Sequence, residues 1–180
     1  MFFFQNNYQM ISIDSQALND FLYAWLQTVV PDQAIWIGGR INNANGEWWW
    51  KDGASWSYTN WGPSEPNGDG LCAHINWNGG QGYWGDTACN YEHGYFCGMT
   101  PQTSSPSASS TSTVTADDCP SNGNWPYTWK VYGDMCYSLG TTPMEWIYAK
   151  QQCDTSVKYH SNFLQTLHVT VGVHFISVSL

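Results

Sequence analysis

Glu65-Pro66-Asn67 sets a carboxylate and a side-chain amide on either side of a single proline. Both groups offer oxygens of the kind that hold a hard cation such as calcium, and they keep lone pairs and amide hydrogens for the hydroxyls of a ligand. Asp52, Asp69 and Asp86 are further carboxylates in the same part of the chain. A glycosidase would need two such groups about 5 to 10 Å apart, and nothing in their spacing demands that arrangement. A second constellation, Cys72-x-His74 followed by Cys89, His93 and Cys97, contains five ligands that zinc could use. Structural zinc sites usually place ligand pairs two to four residues apart on both sides, which this spacing does not reproduce. The chain has no Gly-x-Ser-x-Gly elbow, His-Glu-x-x-His or phosphate loop. These residues therefore point to binding, and not to an enzyme.

The composition narrows the ligand. Of 180 residues 12 are Trp, only 11% are charged and the net charge is -9. The polar surface must then come largely from Asn, Gln, Ser, Thr and Gly, which suits hydrogen bonding to neutral partners. The negative charge disfavours nucleic acid and anionic lipid surfaces. No apolar run is long enough to insert into a membrane. Six cysteines fit an oxidising, secreted or extracellular setting, although Met1 to Phe4 lack the basic and apolar regions of a signal peptide.

Several elements must position the candidate residues. Tyr8 to Ile13 has strand composition, and Asp14 or Ser15 is placed to cap a helix. Leu18, Phe21, Leu22, Trp25 and Leu26 follow at the spacing of one buried helical stripe. Past Pro31, Ile35 to Gly39, Trp48 to Trp50, Tyr83-Trp84 and Gly94 to Cys97 read as short strands around a long loop from Asp52 to Gly70. One helix, antiparallel strands and a long irregular loop make an α+β fold. Thr100 to Thr115 is almost wholly Ser, Thr, Pro and Ala and cannot bury a core. The expected division is a domain over 1–98, a Ser/Thr-rich linker over 99–118 and a second unit over 119–180.

The ordered set Trp36-Ile37-Gly38, Trp50-x-Asp52-Gly53, Asn60-Trp61, Glu65-Pro66-Asn67, Cys72, Trp84-Gly85-Asp86, Cys89 and Cys97 resembles a C-type lectin-like domain. The resemblance covers about residues 8 to 98. It implies a sugar or glycoprotein ligand, a Cys72 to Cys89 disulfide, and a cis peptide before Pro66. It further implies that Glu65, Asn67 and Asp86 bind both calcium and sugar, with Glu-x-Asn associated with mannose-type sugars. Two of the family's usual metal ligands are absent, since Gly85 and Gly70 stand at their positions, and Asp69 is the neighbouring candidate replacement. Calcium is therefore expected to bind weakly. Among Trp56, Tyr58, Trp61, Trp77 and Tyr83, a minority are expected to touch ligand, because Trp61 and Trp84 match buried family positions.

No cysteine precedes Cys72, so the family partner of Cys97 is missing, and Cys97 is expected to be unpaired and the first strand and helix absent. Beyond the linker, Cys119-Pro120, Trp125, Trp129, Cys136-Tyr137, Trp146, Ala149 and Cys153 resemble the opening of a second copy. This implies a Cys119 to Cys136 disulfide, a helix from about Pro143 to Cys153, and an off-pattern tail. A bridge between Cys97 and Cys153 is conceivable across the flexible linker but not favoured. Tandem copies on a stalk resemble secreted invertebrate lectin-like proteins. A calcium-independent protein-binding module, with Trp56 and Trp77 on its contact face, and a fragment without activity of its own are the alternatives.

Overall fold

In the computed structural model, residues 8–76, 78, 80–101, 114–120 and 128–155 are described. Trp77, Trp125, the linker interior and the tail beyond 155 lie outside them. In chain order the elements are β1 (Gln9–Met10), α1 (Gln16–Val29), β2 (Ile35–Ile41), β3 (Trp48–Trp50), β4 (Cys72–Ile75), β5 (Trp84–Thr87), β6 (His93–Met99), β7 (Trp129–Tyr132), β8 (Met135–Met144) and α2 (Trp146–Thr155). This is the α+β class expected.

Helix α1 begins where Ser15 Oγ accepts the Leu18 N–H at 3.4 Å, and it stops just before Pro31. Leu18, Leu22, Trp25 and Leu26 are buried against Ile35, Ile37, Trp50 and Phe96, so the apolar spacing becomes the main core. Asn19, on the same buried face, donates from Nδ2 to the Gly82 carbonyl at 3.2 Å and accepts from Trp84 Nε1 at 2.7 Å. One buried amide thereby ties the helix to the strand that carries Asp86, with both its functions satisfied.

The strands form one sheet in the order β5-β4-β2-β6-β8-β7, with β1 beside β6 and β3 beside β2. Strands β2 and β6 are parallel, and the other pairs are antiparallel. The two sides of the linker meet in this sheet, because β8 pairs with β6 from Met99↔Cys136 to His93↔Met144. Gly140 makes the pairing possible: a Cβ there would stand 2.5 Å from the Tyr95 ring. Helix α2 completes the docking. Trp146 Nε1 donates to the Ile37 carbonyl at 3.0 Å and Trp36 Nε1 to the Met144 carbonyl at 2.9 Å. Trp146, Ala149 and Cys153 are fully buried with Met10, Trp36, Tyr95 and Cys97. Burial on this scale stabilises by several kcal/mol, of which a single tryptophan contributes about 3.

The disulfides are Cys72–Cys89, Cys119–Cys136 and Cys97–Cys153, and no described cysteine is free. The expectation of an unpaired Cys97 is corrected here. Sequence spacing showed no partner within the first block, but the β6–β8 register and the docked α2 bring the two Cα atoms to 5.4 Å. Met99 belongs to β6, and Ala116–Asp118 forms a short 3-10 turn in which Asp118 accepts from both the N–H and the hydroxyl of Thr115.

Candidate functional site

The loop between β3 and β4 is shaped from below by aromatic rings. Trp48, Trp50, Trp56, Trp61 and Trp84 pack with centroids 4.3 to 6.3 Å apart, and Tyr58 joins at 5.6 Å from Trp84. Trp50 and Trp84 are fully buried, and the others are partly buried. Trp56 packs most closely on Trp50 and Trp61 on Trp48, so both rings are part of this cluster. Asn60 Nδ2 reaches the Gly82 carbonyl at 2.9 Å, and the Gly62 N–H donates to the Trp84 carbonyl at 2.8 Å. The loop therefore returns to the end of β5 just before Glu65.

Three of the expected site residues come together there. The Glu65–Pro66 peptide is cis, and Asn67 Nδ2 donates to Glu65 Oε1 at 3.0 Å, with Asn67 exposed and Glu65 half-buried. Asp86, only 2% exposed, lies beneath them on β5. Its Oδ1 accepts the N–H of Asn67 at 2.8 Å, and its Oδ2 accepts the N–H groups of Gly68 and Gly70 at 3.2 Å each. The Asp86 N–H in turn donates to Glu65 Oε2 at 3.2 Å. A buried carboxylate held by several amides is strongly bound, since charge-assisted hydrogen bonds are about twice as strong as neutral ones. Partial burial and the nearby Asp86 carboxyl push Glu65 above the usual carboxylate range.

These residues bring a calcium ion fewer protein oxygens than it takes. Calcium takes six to eight oxygens, whereas Glu65, Asn67 and Asp86 carry five side-chain oxygens between them, and those of Asp86 lie buried under loop amides. Glu65, Asp69 and Asp86 do not assemble as a cation cluster among the described residues, and Asp69 is exposed. Position 70 cannot contribute a side chain, because a Cβ there would stand 1.7 Å from the Thr87 carbonyl carbon. The glycine is what lets the loop backbone close onto Asp86. Backbone amides of Asn67, Gly68 and Gly70 tie this part of the loop to Asp86.

The cysteine and histidine set behaves differently from a zinc site. Cys72 and Cys89 are bonded to each other at the base of the loop, and no described group of three or more His, Cys, Asp or Glu could hold a metal. His74 is buried on β4, with its ring centroid 5.4 Å from that of His93. Two positioning residues escaped the sequence reading. Asn19 was hidden inside an apolar stripe, where a lone buried amide was the available signal, and the closeness of Gly70 to β5 had no signal at all.

The match to known proteins covers this same region. Residues 5–99 match the lectin C-type domain model. Over 93 residues the chain is 39% identical to the hepatic lectin of Gallus gallus, covering 49% of this chain and 42% of the relative. It is 35% identical over 108 residues to the low affinity immunoglobulin epsilon Fc receptor of Mus musculus, covering 58% and 31%. A longer alignment, 29% identical over 156 residues and 81% of this chain, reaches the C-type mannose receptor 2 of Rattus norvegicus, of which it spans 10%. The chain thus spans less than half the length of each of these relatives. With its sheet, its loop and the matched stretch all coinciding, the chain belongs to the lectin C-type domain family.

Proposed function

We propose that the chain is an extracellular carbohydrate-binding module whose polar contacts are made by Glu65 and Asn67 without a bridging calcium ion. The observation that carries this reading is the pair of half-buried Glu65 and exposed Asn67 standing on an amide-satisfied Asp86. Each carbonyl or carboxylate oxygen has a second lone pair, so both side chains can still accept from neighbouring hydroxyls of a hexose. The Asn67 side chain also keeps an N–H to donate. Glu65-Pro66-Asn67 favours mannose-type sugars by family likeness. The names of the hepatic lectin and mannose receptor relatives support a glycan ligand. Three disulfides suit an oxidising location, and no described helix is long and apolar enough to cross a membrane.

We infer further that residues 119–155 are the opening of a lectin-like repeat that here closes the preceding one, as in a tandem protein on a Ser/Thr-rich stalk. Multivalency would then raise weak single-site affinity by linking sites. The protein-binding alternative becomes the better reading if no glycan is held.

The test is an exchange of the two loop groups. Glu65→Gln with Asn67→Asp is expected to move preference from mannose- to galactose-terminated glycans by about tenfold, the worth of one hydrogen bond to a charged group. Glycan-coated surfaces read by plasmon resonance would measure it. An unchanged ratio would remove these residues from the contact.

A further inference from the structure

A second site lies away from this loop, where the C-terminal hairpin docks. A cavity of about 320 Å³ is walled on one side by β1 and the start of α1, and on the other by the β7–β8 turn. That volume lies at the small end of the range for small-molecule sites. Three carboxylates line it, Asp14, Asp52 and Asp134, over an apolar floor that includes Ile11 and Met135. None of the three is paired with a basic side chain among the described residues. Lys51, the neighbour of Asp52, lies instead over the Trp49 ring.

The second observation is Tyr137, which also lines the cavity. It is only 5% exposed, and its hydroxyl has no hydrogen-bond partner among the described residues. A phenol buried this far ordinarily finds a partner. Burial first, and then the negative charge of Asp14 and Asp134, push its ionisation well above the usual phenol range. The hydroxyl therefore remains an intact donor and acceptor within a negative field. A bare metal ion does not suit these groups, since no three described carboxylates converge closely enough to hold one. A cation with its own length does.

We propose that this cavity binds a primary ammonium group carried on a short alkyl stem, with the stem on Ile11 and Met135 and the ammonium shared between the Tyr137 hydroxyl and the Asp14 and Asp134 carboxylates. An ammonium offers three donors, matching acceptors set around it, and its stem covers the apolar floor. The chemistry is the same on a free alkylamine and on a protein lysine.

Calorimetry on the full chain at low salt, with n-butylammonium and with Nα-acetyl-lysine amide, would test this. Both are expected to bind, while 1-butanol and the Nε-acetylated lysine are not. Tighter binding of the lysine amide assigns the site to a protein lysine, and tighter binding of butylammonium assigns it to free amines. Asp14→Asn with Asp134→Asn should weaken binding at least about tenfold, and Tyr137→Phe less. Both aspartates are exposed and the substitutions keep shape, so circular dichroism should report an unchanged fold. The Glu65→Gln/Asn67→Asp protein should bind the amines as the wild type does, which separates this site from the glycan loop. The proposal is overturned if neither amine binds, if butanol binds equally, or if the aspartate and tyrosine variants bind as well as wild type.

Discussion

Replacing both Cys97 and Cys153 by serine is expected to remove about 4 kcal/mol of stability, in the chain-entropy account of a crosslink whose ends are 56 residues apart in sequence. The effect is large because this bridge is the covalent tie between the sheet of the first block and α2. Without it, Trp146 and the β6–β8 pairing hold α2 in place by burial and hydrogen bonds alone. Urea unfolding of wild type and the double variant measures the difference. A companion result needs no variant at all: a single proteolytic cut within 102–113 should leave two pieces that migrate together until a reductant is added. Pieces that separate without reductant, or a double variant as stable as wild type, would show that the C-terminal segment is not bonded to the first block.

Acid should destabilise the protein through His74. Burial is the main cause of a pKa lowered to about 4, and the charge of the neighbouring His93 adds to it. His74 Nδ1 is buried without a hydrogen-bond partner among the described residues, and the Ile75 backbone and the Asp86 charge offset the burial only in part. Burial lowers His93 as well, with Trp36 packed 4.4 Å from its ring. The sign follows from linkage. The unfolded chain binds the proton near pH 6.5 and the folded chain only near pH 4, so this contribution is fully present above pH 6.5. It is lost as pH falls from about 6.5 towards 4, by about 3 kcal/mol in all, and no more is lost below that. Thermal unfolding followed from pH 7.5 to pH 4 measures it. His74→Gln should flatten the slope by removing the titration, and an equal slope in that variant would place the acid sensitivity elsewhere.

What the sequence conveyed and what it concealed divide along contact range. The α1 stripe and the short strands were legible from local periodicity, while the cis Glu65–Pro66 and the grouping of Glu65, Asn67 and Asp86 were expected from the family resemblance alone. The role of Asp86 was only half legible. That its carboxylate collects loop amides depends on Gly70 approaching Thr87 across a register that no local pattern encodes. Cys97 was misread for the same reason. Its partner lies beyond the Ser/Thr-rich stretch, and the pairing of β8 with β6 makes the two blocks neighbours. The acidic cavity was invisible, since Asp14, Asp52 and Asp134 come from three distant segments and meet only after that docking.

The central claim, a glycan site organised by backbone amides on Asp86 in place of a cation, is tested most directly by one binding curve taken twice. Binding of the full chain to a mannose-terminated glycan should be the same, within about twofold, in calcium and in excess chelator, because the loop's shape does not wait on six to eight cation oxygens. Binding that disappears in chelator and returns with calcium would contradict the account, and so would a chain that holds no glycan in either solution.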